Sequence, residues 1–231
     1  MAALQQFFEY GQAEVDAICM KDKAFALAAG QIGIIRREVT PDIFSALVKS
    51  MVGQQISTKA QKTIWERITG AFGSSAVSPQ MILGMPIEKF QKFGVTMKKA
   101  GYIYELSQKV QSGELDITAL YELPDEQVIS KLCALNGVGL WTAEMLLLFS
   151  MQRPDILSFG DLAIQRGMRM LYRHRTVTRE KFEKYRRRYS PHGSVASLYI
   201  WEIASGNWGY SDPAPERSLQ KAVQSRLADS K

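Results

Sequence analysis

A chain of 231 residues, 46% of them hydrophobic, can bury a sizeable core as one compact unit or two small lobes. Its net charge of +6 suits a polyanionic partner without identifying one. Two isolated cysteines, Cys19 and Cys133, exclude a zinc site and a disulfide framework and point to a reducing compartment. No basic-then-apolar leader opens the chain and no apolar run is long enough to span a bilayer, so neither a signal peptide nor a membrane anchor is expected.

Residues 1–30 read as mostly helical, with Phe7, Phe8, Val15, Ile18, Phe25 and Leu27 as packing positions, and 30–37 as a break. Thr40-Pro41-Asp42 predicts a helix start, with Thr40 as N-cap and Pro41 at the first helical position, running to about Gly53. A polar loop follows, Gln54-Gln55-Ile56-Ser57, and Ser57 caps the next helix, to about Phe72. Ser78-Pro79 and Pro86 open two short helices. Thr96 caps a longer one ending before Gly113. Lys98 and Lys99 stand in its first turn, where cations oppose the helix dipole; a bound phosphate would relieve that cost, and so would solvation. Leu123-Pro124-Asp125 opens the helix carrying Val128, Leu132 and Leu135.

Residues 132–169 carry the chemistry. Gly137-Val138-Gly139 is a tight turn between two apolar helical runs, the second beginning near Leu140 with Trp141, Met145, Leu148 and Phe149. This is a helix-hairpin-helix pattern, whose second helix offers first-turn amides to a phosphate; an ordinary core turn fits the same residues. Asp161 then precedes Leu162, Ile164 and Met168, a helical stripe. Aspartate is a routine N-cap, and at a helix N-terminus it is also a well-aimed negative charge. Ten Lys/Arg and two acids, Glu180 and Glu183, lie between Gln165 and Tyr189: a solvated face, or a set of phosphate contacts. A helix over 194–205 carries Leu198, Tyr199, Trp201 and Ile203, and the tail from Ser211 is polar. With no strand-period stretch, the expected fold is all-α.

Gly137-Val138-Gly139, then Thr142-Ala143, then a loop ending in Asp161-Leu162, resembles the signature of the helix-hairpin-helix DNA glycosylases, and within them the 3-methyladenine DNA glycosylase II branch. The stretch 93–100 is similar as well, and the resemblance covers roughly residues 41–207. It implies an endonuclease III-like fold of two helical lobes with a cleft between them. One is a six-helix lobe over 41–150 holding the hairpin; the other is formed by 1–40 plus 151–231 and carries Asp161.

The resemblance further implies base excision repair of double-stranded DNA by base flipping, by a monomer in the cytoplasm, with the nucleoid if bacterial. Asp161 is the implied catalytic carboxylate, stabilising an oxocarbenium-like sugar and orienting or deprotonating water. Gln54, Gln55, Ile56 and Ser57 form the implied minor-groove loop, with Gln55 or Ile56 as the wedge. Gly137, Val138, Gly139 and Thr142 hold the DNA backbone. Trp141, Trp201, Met145 and Leu162 occupy the base-pocket positions; large aromatics at helical spacing are equally core residues. A cationic alkylated purine would gain from stacking on indole. Bifunctional relatives place a lysine at the position of Trp141, so hydrolysis without strand cleavage is expected. The carbonyls of Cys133, Leu135 and Val138 match a site for Na+ or K+, no further cofactor is required, and the cysteine count leaves no iron–sulfur cluster. Two other readings stand beside this one. One is a non-catalytic DNA-binding module in which Asp161 only caps a helix; the other is a glycosylase for deaminated or oxidised bases.

Overall fold

The computed structural model describes residues 6–213; the first five residues and the polar tail after Pro213 lie outside the described residues. The described chain is helical throughout, apart from loops and one isolated antiparallel bridge between Phe7 and Glu38. It divides into two compact units. One comprises residues 6–8 and 38–152, the other 9–37 and 153–213. The opening residues join the first unit because the Val39 amide donates to the Gln6 carbonyl (3.0 Å) beside that bridge.

Helices α1 (Gln12–Lys21) and α2 (Lys23–Ile32) begin the second unit, and Asp22 between them caps α2 by accepting the Phe25 amide at 3.0 Å. Leu27, expected to pack, is instead 72% exposed: on α2 the buried side chains are Phe25, Ala28 and Ala29, and Leu27 falls on the opposite face.

The first unit runs through α3 (Ile43–Gly53), α4 (Thr58–Phe72), α5 (Pro79–Leu83), α6 (Glu88–Phe93), α7 (Met97–Gln111), a 3-10 turn (Ala119–Glu122), α8 (Asp125–Cys133) and α9 (Leu140–Phe149). Helix α3 is central to it, packing on α4, α7 and α9 and burying Leu47, Val48 and Met51. Phe90 of α6 is fully buried and meets Tyr104 of α7 edge-on at 5.8 Å. Ser57, Ser78 and Thr96 cap α4, α5 and α7 as their sequence positions predict. The cap of α3 does not follow the prediction. Asp42, not Thr40, accepts the Ser45 amide (2.6 Å), because the Thr40 amide is drawn to the Phe149 carbonyl at the end of α9 (2.9 Å) and the helix starts two residues later.

The second unit resumes with α10 (Leu162–Tyr172), α11 (Arg179–Tyr189) and α12 (Gly193–Ala204). Helix α12 is apolar almost all round and packs on α2, α10 and α11. It crosses α10 at Gly167, where a Cβ would lie 2.1 Å from the Ile200 carbonyl oxygen; only glycine permits that approach. None of the described helices is long and apolar enough to cross a membrane.

Candidate active site

In the first unit the hairpin turns on Gly137, at φ +82° with Tyr102 packed against its Cα; a methyl there would sit 2.6 Å from the ring. Val138 closes the turn, its amide donating to the Leu135 carbonyl at 3.1 Å, and both side chains are buried. Gly139 is the N-cap of α9, with an ordinary φ of −96°. The first-turn amides of α9 stand where the helix itself supplies no acceptor. Thr142 is only 5% exposed, so its hydroxyl is not presented to solvent. Trp141, by contrast, is 48% exposed, and Met145 follows it one turn along the same face, partly exposed.

The loop after α3 is brought to this hairpin. Gln54 Nε2 donates to the Gly137 carbonyl at 2.6 Å across 83 residues of sequence. Gln55, Ile56 and Ser57 are all exposed, and Gln55 holds a left-handed φ of +56°. Lys98 is exposed, with its ammonium over the Tyr102 ring at 6.0 Å. Lys99 is partly buried and turned toward the end of α3. Its Nζ donates to the carbonyls of Val52 (2.9 Å) and Gln54 (2.6 Å) at the end of α3, and burial pulls its pKa down.

The second unit carries Asp161, Leu162 and Trp201. Asp161 is the N-cap of α10, only 8% exposed, and its Oδ1 accepts the amides of Ala163 (2.8 Å) and Ile164 (3.0 Å). Leu162 beside it is 45% exposed, and Trp201 on α12 is half-buried, one residue past the crossing at Ile200. The loop leading to Asp161 is held by side chains that sequence reasoning missed. Gln165 Nε2 donates to the Phe159 carbonyl at 2.6 Å, and Phe159 packs edge-on to Phe182 (5.1 Å) under the Arg179 guanidinium (5.1 Å). Further back, Asp155 accepts the Gly193 amide (2.9 Å) and the Ser190 hydroxyl (2.7 Å). Ser194 Oγ accepts the Ile156 amide (2.9 Å), and Ser197 Oγ donates to the Ile156 carbonyl (2.8 Å). The start of α12 is therefore the cradle of this loop. The separations are 35 to 41 residues, and a single sequence carries no sign of such pairings.

Among the described residues no group of three or more His, Cys, Asp or Glu could hold a metal ion. The carbonyl set at the hairpin is of a different kind. Cys133 ends α8, where the helix supplies its carbonyl no donor, and Leu135 and Val138 lie in the turn itself. Neutral oxygens without a carboxylate suit a hard monovalent cation better than a divalent one.

Residues 48–192, more than half of the chain, match the HhH-GPD superfamily of base excision DNA repair proteins. The chain belongs to this superfamily. Among solved structures, this HhH-GPD protein is similar to a DNA-3-methyladenine glycosidase from Bacillus halodurans at 32% identity and a TM-score of 0.80, covering 93% of this chain and 99% of that one. It is similar also to a Schizosaccharomyces pombe 3-methyladenine DNA glycosylase in complex with abasic DNA, at 25% identity and a TM-score of 0.72, covering 83% and 96%. YfjP of Bacillus subtilis is 24% identical over 166 residues, 69% of this chain; the chain spans 58% of that relative's length. The hairpin, the 53–57 loop and the capping Asp161 all fall inside the region that defines the superfamily.

Proposed function

We propose that this HhH-GPD protein is a monofunctional DNA glycosylase that removes alkylated purines of the 3-methyladenine and 7-methylguanine type from duplex DNA. The observation that carries the reading is Asp161. One carboxylate oxygen is fixed by two backbone amides at the start of α10, so the group cannot swing away from its target. In such a reaction the C1′–N bond breaks, its electron pair leaves with the base, and positive charge develops on the sugar. A fixed carboxylate stabilises that charge and orients the water whose oxygen bonds to C1′, accepting its proton; an abasic site and a free base remain. A ring-methylated purine already carries positive charge, so it departs neutral and needs no general acid.

Trp141 and Met145 in the first unit, and Trp201 and Leu162 in the second, are the side chains we assign to base recognition. The exposure of Trp141 supports that assignment, since a core tryptophan would be buried. Indole has no basic nitrogen, so no imine to the sugar can form at Trp141. Gln54 to Ser57 take the minor-groove side, and the amides of Gly139, Leu140 and Thr142 take a phosphate. The carbonyls of Cys133, Leu135 and Val138 would hold a monovalent cation, which would add positive charge facing that phosphate. The protein works as a monomer in the compartment that holds the genome.

The test is release of methylated bases from methylated duplex DNA by the wild type and by Asp161→Asn. Asparagine caps a helix as well as aspartate, so the variant should fold and bind DNA, while release falls by about 10²–10³-fold. Borohydride should trap no protein–DNA adduct with either. Binding without release by the wild type would leave a DNA-binding module or a glycosylase for another lesion.

A further inference from the structure

Helix α3 ends at Gly53 against α4. A Cβ on Gly53 would lie 2.1 Å from Gln61 Nε2, and that same nitrogen donates to the Lys49 carbonyl (2.8 Å). The last carbonyls of a helix lack partners and carry the negative end of its dipole. Lys99 supplies both a donor and a charge there, binding the Val52 and Gln54 carbonyls. Its position in the first turn of α7 opposes the dipole of its own helix; the end of α3 offsets that cost. On the other side, the Gln54 amide group is tied to Gly137. Gln55 and Ile56 are thus presented outward between a backbone anchored at Val52 and Gln54 and the Ser57 cap of α4, where the Ala60 amide donates to Ser57 Oγ (3.2 Å), with Gln55 bent into a region that side-chained residues seldom occupy.

We propose that Lys99 is a positioning residue for base extrusion: by clamping the end of α3, with Gln54 clamped to the hairpin, it presets the bend that presents Gln55 and Ile56 to the duplex. The proposal rests on the reading of 53–57 as the loop that fills the gap left by an extruded base. A loop bent in advance does not have to be ordered when it enters the groove, so the cost of extrusion falls. The Lys99 ammonium is partly buried and donates to two backbone carbonyls, which fits a clamp better than a surface charge.

The test uses the full chain as wild type, Lys99→Met, Lys99→Arg and Gln54→Ala, on a duplex with 7-methylguanine opposite cytosine and on one with it opposite an abasic analogue, where no pair resists extrusion. Lys99→Met should slow single-turnover release about tenfold opposite cytosine and less than about threefold opposite the abasic analogue, with Lys99→Arg recovering most of the difference. Gln54→Ala should act in the same direction. A purely structural role would lower both substrates alike, and that result, or no loss at all, overturns the proposal. Amide exchange over 53–57 in the free proteins and the fluorescence rise of 2-aminopurine placed beside the lesion are read in parallel. Should the wild type release no base, the glycosylase reading fails. The clamp is then judged on these two signals, and it falls if Lys99→Met leaves exchange over 53–57 unchanged.

Discussion

Gly137 is held in place from two sides: its φ of +82° excludes most side chains, and Tyr102 occupies the space where a Cβ would go. Gly137→Ala should therefore cost about 1–3 kcal/mol, from left-handed strain and the clash together. Gly139, two residues on, has an ordinary φ and open space around it, so Gly139→Ala should cost only a few tenths to about 1 kcal/mol, the difference between two cap residues. Thermal melting of the pair measures the difference directly; equal losses would contradict the geometry. In the sequence the two glycines look alike. What separates them is Tyr102, 35 positions earlier in the chain, and the path of the backbone around it.

At the scale of elements, the second unit is pinned by Asp22. Its carboxylate is almost fully buried and serves three helices at once. It caps α2 through the Phe25 amide, accepts the Tyr172 hydroxyl of α10 (2.8 Å), and pairs with Arg188 of α11 (3.0 Å). The Tyr172 hydroxyl also meets that of Tyr189, and burial pushes both phenols well above the usual tyrosine range, so both stay neutral. Asp22→Ala should lower stability by about 2–4 kcal/mol, the sum of a lost cap and a broken buried hydrogen-bond set, discounted because Arg188 can turn to water. Chemical denaturation is the check, and a loss below about 0.5 kcal/mol would mean that the network carries no net stability. Lys99 makes the companion point. A first-turn lysine reads locally as a phosphate ligand or a solvated charge, whereas its ammonium completes a different helix.

For the whole molecule, the net charge of +6 and the basic run along α11 lead to the prediction that DNA affinity falls with salt. Lys184 and Arg187 are exposed on that helix, while Arg179 is engaged with Glu183 (2.8 Å) and Arg188 with Asp22. Replacing Lys184 and Arg187 with glutamine should reduce the slope of log K against log salt by about 0.9 for each phosphate contact removed. An unchanged slope would identify the run as a solvated face.

Periodicity and capping residues are properties of neighbours within about one helical turn. They were enough for the all-α class, for the caps at Ser57, Ser78, Thr96 and Asp161, and for the hairpin at 137–139. The linked motifs around Asp161 were enough for the superfamily. Tertiary structure alone decided that Asp42 caps α3, that Leu27 faces outward, that Gln54 reaches the hairpin and Lys99 the end of α3, and that the start of α12 cradles the loop before Asp161. Each of these turns on which polar atom is nearest once distant segments have packed, and that distance exists only in the folded chain.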